Sequence, residues 1–370
     1  MGRETYTGDV AFEVRGHLGI ITLNRPEAMN ALTQLMCESV HIQLDEWASD
    51  DDVAQVLVRG AGDRGLCAGG DVVSVYHDMV ALQPEDGGAL LPEGTPSYRA
   101  DFPAEDFWAA EYRMNLTIAE FPKPYIALMD GLVLGGGIGV SAHGSHRIVT
   151  ERSRVGMPET TIGYCPDVGG THLLARAPDA LGMYAGLLGV HLGSADAIRL
   201  GLADVCTDSS SVEELISGLA EEPVEAVLSE FTTEPGPARL QKCAGWIRQA
   251  FSAPDVEQIL AELEELAGDV PEAGEAAEQL RSKSPISLKV AHRAISRAAD
   301  LALRGALLQE YTVAVHMLRS RDFREGLRAQ LIDKDRAPAW ALGSLSEVDE
   351  ELVDHYFSPV PHRVLRLDVS

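Results

Sequence analysis

Residues 123–144 read KPYIALMDGLVLGGGIGVSAHG. The opening segment, Lys123–Gly131, is apolar and reads as a strand. A glycine run follows, and then small residues that suit a closely packed helix. Strand, glycine turn, helix is the unit on which the reading of this chain rests. A glycine turn at a helix N-terminus exposes backbone N–H groups beside the positive end of the helix dipole.

The same unit recurs on either side. Upstream, VAQVLVRG (Val53–Gly60) reads as a buried strand, and AGDRGLCAGGD (Ala61–Asp71) as a glycine-rich loop entering a helix. Nearer the start, Ala11–Arg15 and Leu18–Leu23 alternate as two strands joined at Gly16-His17. Apolar residues fall at helical spacing over Ala31–Trp47 and Glu105–Glu120. Downstream, His146–Glu151 reads as a strand, and VGMPETTIGYCPDVGGTHLLARA (Val155–Ala177) as loop then helix. This recurrence predicts an α/β fold of repeated ββα units.

The character changes after Asp208. Glu213–Gly274 is acidic and helix-prone, with breaks at Glu234–Pro237 and Pro271. SPISLKVAHRAI (Ser284–Ile295) and Leu301–Leu318 read as amphipathic helices, followed by FREGLRAQLIDKDRAPAW (Phe323–Trp340) and a polar tail. Two regions are expected: a core over residues 8–210 and a mainly helical region, 211–370, packed on it. Gln83–Pro103, rich in Pro, Gly and acid, reads as a surface loop.

Composition excludes several functions. Among 370 residues, 57 acids outnumber 30 bases, for a formal net charge of −27. That balance argues against nucleic acid and against anionic membrane surfaces. No apolar run reaches the ~18 residues of a membrane span. The start, MGRETYTGDVAFEVRG, has no apolar signal segment. The cysteines, Cys37, Cys67, Cys165, Cys206 and Cys243, are odd in number and widely spaced. They point to a reducing, cytoplasmic setting without structural zinc or another metal.

The glycines allow two readings. Gly137–Ala142 matches half of a dinucleotide fingerprint, G-x-G-x-x-A, but it sits mid-chain and no βαβ unit with a terminal acid follows. No GK[ST] follows either, so a P-loop is excluded. In the second reading, CAGGD and LGGGIG each lend one N–H to a shared oxyanion hole, which stabilises charge building on a carbonyl oxygen.

NRPEAMNAL (24–32), GLCAGGDV (65–72), KPYIALMDGLVLGGGIG (123–139), MPETTIGYCPDVGG (157–170) and LGSADAIRLGLAD (192–204) occur in that order. Together they resemble the crotonase (enoyl-CoA hydratase/isomerase) superfamily over about residues 10–210. The resemblance implies a ClpP-like spiral of ββα units binding an acyl-CoA. It puts the two oxyanion amides at Gly70 and Gly136. It places the coenzyme's adenine near Ala68, Asp71 and Val72, and Arg25 by the coenzyme entrance.

Superfamily hydratases use two glutamates. The first position here is Gly139 and the second is Glu159, so that pair is incomplete. Several features together resemble the 3-hydroxyisobutyryl-CoA hydrolases of valine breakdown. They are Glu159 with Asp167 in PET-x(6)-DVGG, WAAEYRMN with Glu111, SPISLKV (284–290) and the segment 323–340. The resemblance then implies thioester hydrolysis, with Glu159 as general base or nucleophile, Asp167 orienting water or a β-hydroxyl, and Glu111 touching the substrate hydroxyl. It implies no metal and no cofactor, coenzyme A being part of the substrate. It leaves a homo-oligomer, trimer or hexamer, open. The alternative is an enoyl-CoA hydratase or isomerase using Glu159 alone; a third is a CoA-binding module with a decayed site.

By residue type alone, the readings are plainer. Asp167 is well placed to cap a helix from Thr171, Glu159 to cap a turn, and Glu111 to sit on a solvated face. His143, His146 and His172 read as structural, and nothing in the sequence marks Cys67 as an activated thiol.

Overall fold

The computed structural model describes residues 3–81, 102–360 and 364–367. The strands are β1 (Arg3–Thr7), β2 (Val10–Arg15), β3 (Leu18–Leu23), β4 (Gln55–Gly60), β5 (Gly65–Cys67), β6 (Tyr125–Met129), β7 (Leu132–Leu134), β8 (His146–Thr150), β9 (Arg154–Gly156) and β10 (Val205–Thr207). They form a seven-stranded sheet, ordered β1-β2-β3-β4-β6-β8-β10, and a three-stranded sheet, β5-β7-β9. β1, β2 and β3 pair antiparallel, and every later pair is parallel. Each turn of chain gives one strand to the large sheet and the next to the small one. β4 then β5, β6 then β7, and β8 then β9 make three turns of a ββα spiral.

The helices in the spiral region are α1 (Gln34–Ala48), α2 (Val72–Ala81), α3 (Pro103–Ala119), α4 (Gly136–Ser141), α5 (Gly170–Leu174), α6 (Leu181–Leu188) and α7 (Ser194–Leu200). The C-terminal region is helical, as expected: α8 (Val212–Leu219), α9 (Val224–Phe231), α10 (Arg239–Phe251), α11 (Val256–Leu266), α12 (Pro271–Arg281), α13 (Pro285–Ala298), α14 (Leu303–Met317), α15 (Arg321–Leu327) and α16 (Glu350–Tyr356).

Period-two alternation explains how the large sheet is covered on both faces. Val56, Val58, Tyr125, Ala127, Met129 and Val149 point into the main apolar core. Their neighbours Leu57, Ile126, Leu128 and Ile148 point the other way, onto Leu215, Ile216 and Leu219 of α8 and Val224 and Val227 of α9. Residues of α10–α14 share the main core with the spiral; Ile247, Ile259, Leu280, Ile286 and Leu307 are all buried in it. Each such side chain contributes about 1.5–3 kcal/mol by leaving water.

Local chemistry sets the ends of the helices that reach the site. Ser284 accepts from Ser287 N–H at 3.1 Å and so caps α13, with Pro285 in its first turn. Ser320 caps α15 by accepting from Phe323 N–H at 3.1 Å. α3 is buried along most of its length and still carries Glu105, Glu111 and Asn115, all nearly inaccessible. Charged and amide groups are rarely so deep without a partner or a function.

The structure corrects several expectations. The three strands of the small sheet lie in or at the edge of segments read as loops or as a glycine turn, because three-residue strands give too short an alternation to register. Helix α1 starts at Gln34, not Ala31, since Asn30 has φ +56 and Thr33 provides the cap. The reading of Gln83–Pro103 as a loop lies outside the described residues, except that Phe102 and Pro103 cap and open α3. The segment 323–340 is part helix, with a single π-helical turn at Arg328–Ile332, and the polar tail contains α16.

Candidate active site

The two glycine turns meet. Leu32 bridges to Gly70 in parallel fashion, using Leu32 N–H to Gly69 O at 2.9 Å and Asp71 N–H to Leu32 O at 2.8 Å. That pairing fixes the loop and leaves Gly70 N–H without an acceptor among the described residues. On the facing turn, Gly135 has φ +50 and ψ −116, a conformation only glycine adopts readily, and it starts α4. Gly136 N–H is then in the first turn of the helix and likewise free. Gly70 N lies 3.1 Å from where a Cβ on Gly136 would sit. Two unpaired N–H groups therefore lie side by side at the N-terminus of α4, as the sequence suggested.

Three carboxyl groups surround them. Glu111 comes from α3, and its Oε1 would collide with any Cβ on Gly136. Glu159 opens the 3-10 turn Glu159–Ile162, and its Oε1 lies 2.8 Å from where a Cβ on Gly135 would sit. Asp167 follows eight residues later on the same loop. All three are buried. Glu111 Oε1 and Glu159 Oε2 have no hydrogen-bond partner among the described residues. Asp167 Oδ2 accepts from Tyr112 Oη at 2.7 Å and from Tyr164 Oη at 3.2 Å.

Burial and crowding raise the proton affinity of all three. Burial pushes Glu111 well above the usual carboxylate range, and Asp167 and Glu159 add to it. Burial and then Asp167 raise Glu159, while its own backbone N–H and Lys283 pull it down. Asp167 rises to about 6 through burial, held back by the two tyrosine hydroxyls. These three acids are electrostatically coupled and titrate as a group.

Asp167 does not cap the helix after it. Glu310, from α14, takes that role: it accepts from Gly169 N–H at 2.6 Å and from Thr171 N–H at 2.9 Å. The Asp167 carboxylate is thereby left for the tyrosines. Glu159 and Glu111 likewise face the interior, not solvent.

The residues expected near the coenzyme form a separate cluster. Arg25 donates to Asp71 Oδ2 at 3.0 Å and to the Ala31 carbonyl at 2.7 Å. Ala68 N–H donates to Met29 O at 3.0 Å, and Val72 starts α2. The structure thus brings Arg25, Ala68, Asp71 and Val72 together around the 65–72 loop and braces it. The histidines are committed elsewhere: His143 to Val168 O at 2.7 Å and His172 to Leu301 O at 3.1 Å, with His146 beside Ser145. Burial pushes the Cys67 thiol up to about 12, so it carries no thiolate.

Sequence reasoning missed five polar residues here. Asn115 sits one helical turn after Glu111, fully buried, with both amide atoms unpartnered; its Nδ2 lies 2.7 Å from where a Cβ on Gly139 would be. The i, i+4 spacing from Glu111 was the available signal. Tyr112 and Tyr164 hold Asp167. Lys283 donates to Thr161 Oγ1 at 2.8 Å, and burial lowers it to about 8 against the pull of Glu159. Glu310 stands as a lone acid in an otherwise apolar helix face. Phe323 of α15 stacks on Tyr164 with centroids 4.5 Å apart, so the C-terminal helices help to build this site.

Comparison with known proteins fits this geometry. Residues 18–357 match the family described as enoyl-CoA hydratase/isomerase. The chain belongs to that family. Among curated relatives, a zebrafish (Danio rerio) protein named 3-hydroxyisobutyryl-CoA hydrolase, mitochondrial, is 36% identical over 97% of this chain and 92% of its own length. The human protein of that name is 34% identical over 94% and 88%.

Solved members of the family superpose closely. A carnitinyl-CoA dehydratase from Mycobacterium thermoresistibile is 42% identical, with TM-score 0.89, covering 98% of this chain and all of that one. An enoyl-CoA hydratase from Rhodobacter sphaeroides is 37% identical, with TM-score 0.85, covering 97% and 100%. The fold is therefore the crotonase fold, with its ββα spiral and a C-terminal helical region. No helix among the described residues is long and apolar enough to cross a membrane.

Proposed function

We propose that this enzyme hydrolyses the thioester of a 3-hydroxyacyl-CoA, with 3-hydroxyisobutyryl-CoA as the substrate. One observation carries the reading: two glycine amides converge beside buried carboxylate oxygens, none of them with a partner among the described residues. Such a constellation holds a carbonyl oxygen on one side and activates an oxygen nucleophile on the other. The names of the curated relatives support the same chemistry.

Gly70 and Gly136 N–H would take the thioester oxygen. In the base route, Glu159 accepts a proton from water as the water oxygen bonds to the carbonyl carbon. The oxyanion collapses, the C–S bond breaks, and the departing thiolate takes that proton. In the nucleophile route, Glu159 itself bonds to the carbon, the C–S bond breaks and the thiolate leaves; water then cleaves the resulting anhydride, restoring the Glu159 carboxylate and giving one proton to the thiolate. Asp167 orients the water or the β-hydroxyl, and Glu111 and Asn115 line the acyl end. Arg25, Ala68, Asp71 and Val72 receive the coenzyme. The free cysteines suit a reducing compartment, such as the cytoplasm, for a step in valine breakdown.

A hydratase or isomerase is the second reading, favoured by the names of the two solved relatives. Against it stands position 139. Glycine there has no side chain, and even a Cβ would lie 2.7 Å from Asn115 Nδ2 and 2.8 Å from Val168 Cβ. No acid can be added at this turn without moving its neighbours. Incubation with 3-hydroxyisobutyryl-CoA and with crotonyl-CoA separates the two: thiol release from the first supports hydrolysis, and hydration of the second alone sinks it.

A further inference from the structure

The turn that carries Asp167 is built against its own sequence. Gly170 N–H donates to the Asp167 carbonyl at 2.6 Å and closes a four-residue turn. Its central residues, Val168 and Gly169, have φ of +53 and +79. Two positive φ values in sequence make the primed form of turn, which takes Asn, Asp or Gly at its first centre. Glycine fills the second centre without penalty. Valine at the first is an outlier, because a β-branched side chain is crowded there.

Such a backbone persists only where its surroundings over-determine it. Two side chains from outside the turn do so. His143, just after α4, shares a hydrogen bond of 2.7 Å with Val168 O. A carbonyl only accepts, so the ring carries its proton on Nε2 and donates it. The same ring packs within 2.5 Å of where a Cβ on Gly169 would be, so no larger residue fits. From the other side, Glu310 takes Gly169 N–H on Oε2 at 2.6 Å. Its Oε1 takes Thr171 N–H at 2.9 Å and Thr171 Oγ1–H at 2.5 Å. Both atoms of this carboxylate are thus spent on the turn.

We infer that His143 and Glu310 are positioning residues: they clamp the strained Val168 turn and so aim the Asp167 carboxylate at Tyr112 and Tyr164. The inference rests on the role given to Asp167 above. It also gives α14, which lies outside the ββα spiral, a task at the active site. Displacement of a reacting group by about 1 Å costs on the order of a hundredfold in rate. Loosening the clamp therefore lowers kcat by about ten- to a hundredfold, while KM, set largely at the 65–72 loop, moves by less than about threefold.

The test is steady-state thiol release from 3-hydroxyisobutyryl-CoA by the full chain. The variants are Glu310→Gln, His143→Leu, His143→Gln, Asp167→Asn and the double variant Glu310→Gln/Asp167→Asn. Glu310→Gln keeps the shape but turns an NH2 toward a backbone donor, and kcat falls. His143→Leu falls likewise, whereas His143→Gln, which keeps an N–H donor, holds kcat near wild type. The double variant is no slower than Asp167→Asn alone, because Glu310 acts through Asp167. Wild-type kcat in folded Glu310→Gln and His143→Leu overturns the inference, as do losses that multiply in the double variant. Should Glu310→Gln not fold, the two histidine variants decide: equal kcat for Leu and Gln overturns it. Full activity in Asp167→Asn removes the role of Asp167 itself, and with it the inference. A loss in Asp167→Asn with none in the clamp variants overturns the inference alone.

Discussion

Glu159 is a carboxyl group in a place that resists charge. Burial and Asp167 hold its proton on, and Lys283 is the cation that opposes them. As a base or nucleophile it acts ionised, so kcat rises with pH as the group loses its proton. Lys283→Met removes the opposing cation, which raises the affinity of Glu159 for its proton. The acidic limb of the pH–rate profile is then expected to move to higher pH, and an unmoved limb contradicts the coupling. Glu159 and Asp167 were legible in the sequence through the PET-x(6)-DVGG spacing, and Gly70 and Gly136 through their strand–glycine–helix turns. Asn115, Lys283 and Glu310 were not. An isolated polar residue in a helix, or in the turn between two helices as Lys283 is, reads as solvated, and only packing shows that these three are buried.

At the scale of elements, α3 packs closely against α4. Glu111 lies over Gly136, and one turn along, Asn115 lies over Gly139. The small-residue helix GGIGVS is thus a requirement of close approach, which the sequence showed as a glycine cluster without showing its neighbour. Gly139→Ala puts a methyl group 2.7 Å from Asn115 Nδ2 and 2.8 Å from Val168 Cβ. It is expected to cost about 1–3 kcal/mol of stability through overpacking, read as a lower denaturant midpoint. An unchanged midpoint would mean that α3 is free to withdraw. The short strands β5, β7 and β9 were illegible for a different reason: their order comes from pairing across the spiral, not from local pattern.

The whole molecule stores protons as it folds. Asp167 rises to about 6 in the native state, and Glu111 and Glu159 rise well above the usual carboxylate range. Unfolded carboxyl groups titrate near ~4. Native protein therefore holds protons that the unfolded chain has lost, and this stabilisation is full below about pH 4 and lost as pH rises through about 6 and above. The melting temperature is expected to fall between pH 5 and pH 8. Mutual repulsion in a chain of net charge −27 pushes in the same direction. Salt at ~0.5 M screens surface charge far more than buried groups. A fall that survives such salt, and that flattens in Asp167→Asn, identifies the buried acids; a melting temperature that rises over this range contradicts them. The spiral was readable as recurring ββα units, and the C-terminal region as helices. The reach of α13, α14 and α15 into the site was not, because those contacts join residues far apart in sequence.

The most direct measurement is free thiol release from 3-hydroxyisobutyryl-CoA by the wild-type chain and by Glu159→Gln, with crotonyl-CoA as the comparison substrate. The expected result is rapid release that falls by about 10²–10⁴-fold in the variant, with no hydration of crotonyl-CoA. Undiminished release in Glu159→Gln, or hydration of crotonyl-CoA without any thiol release, would contradict the account.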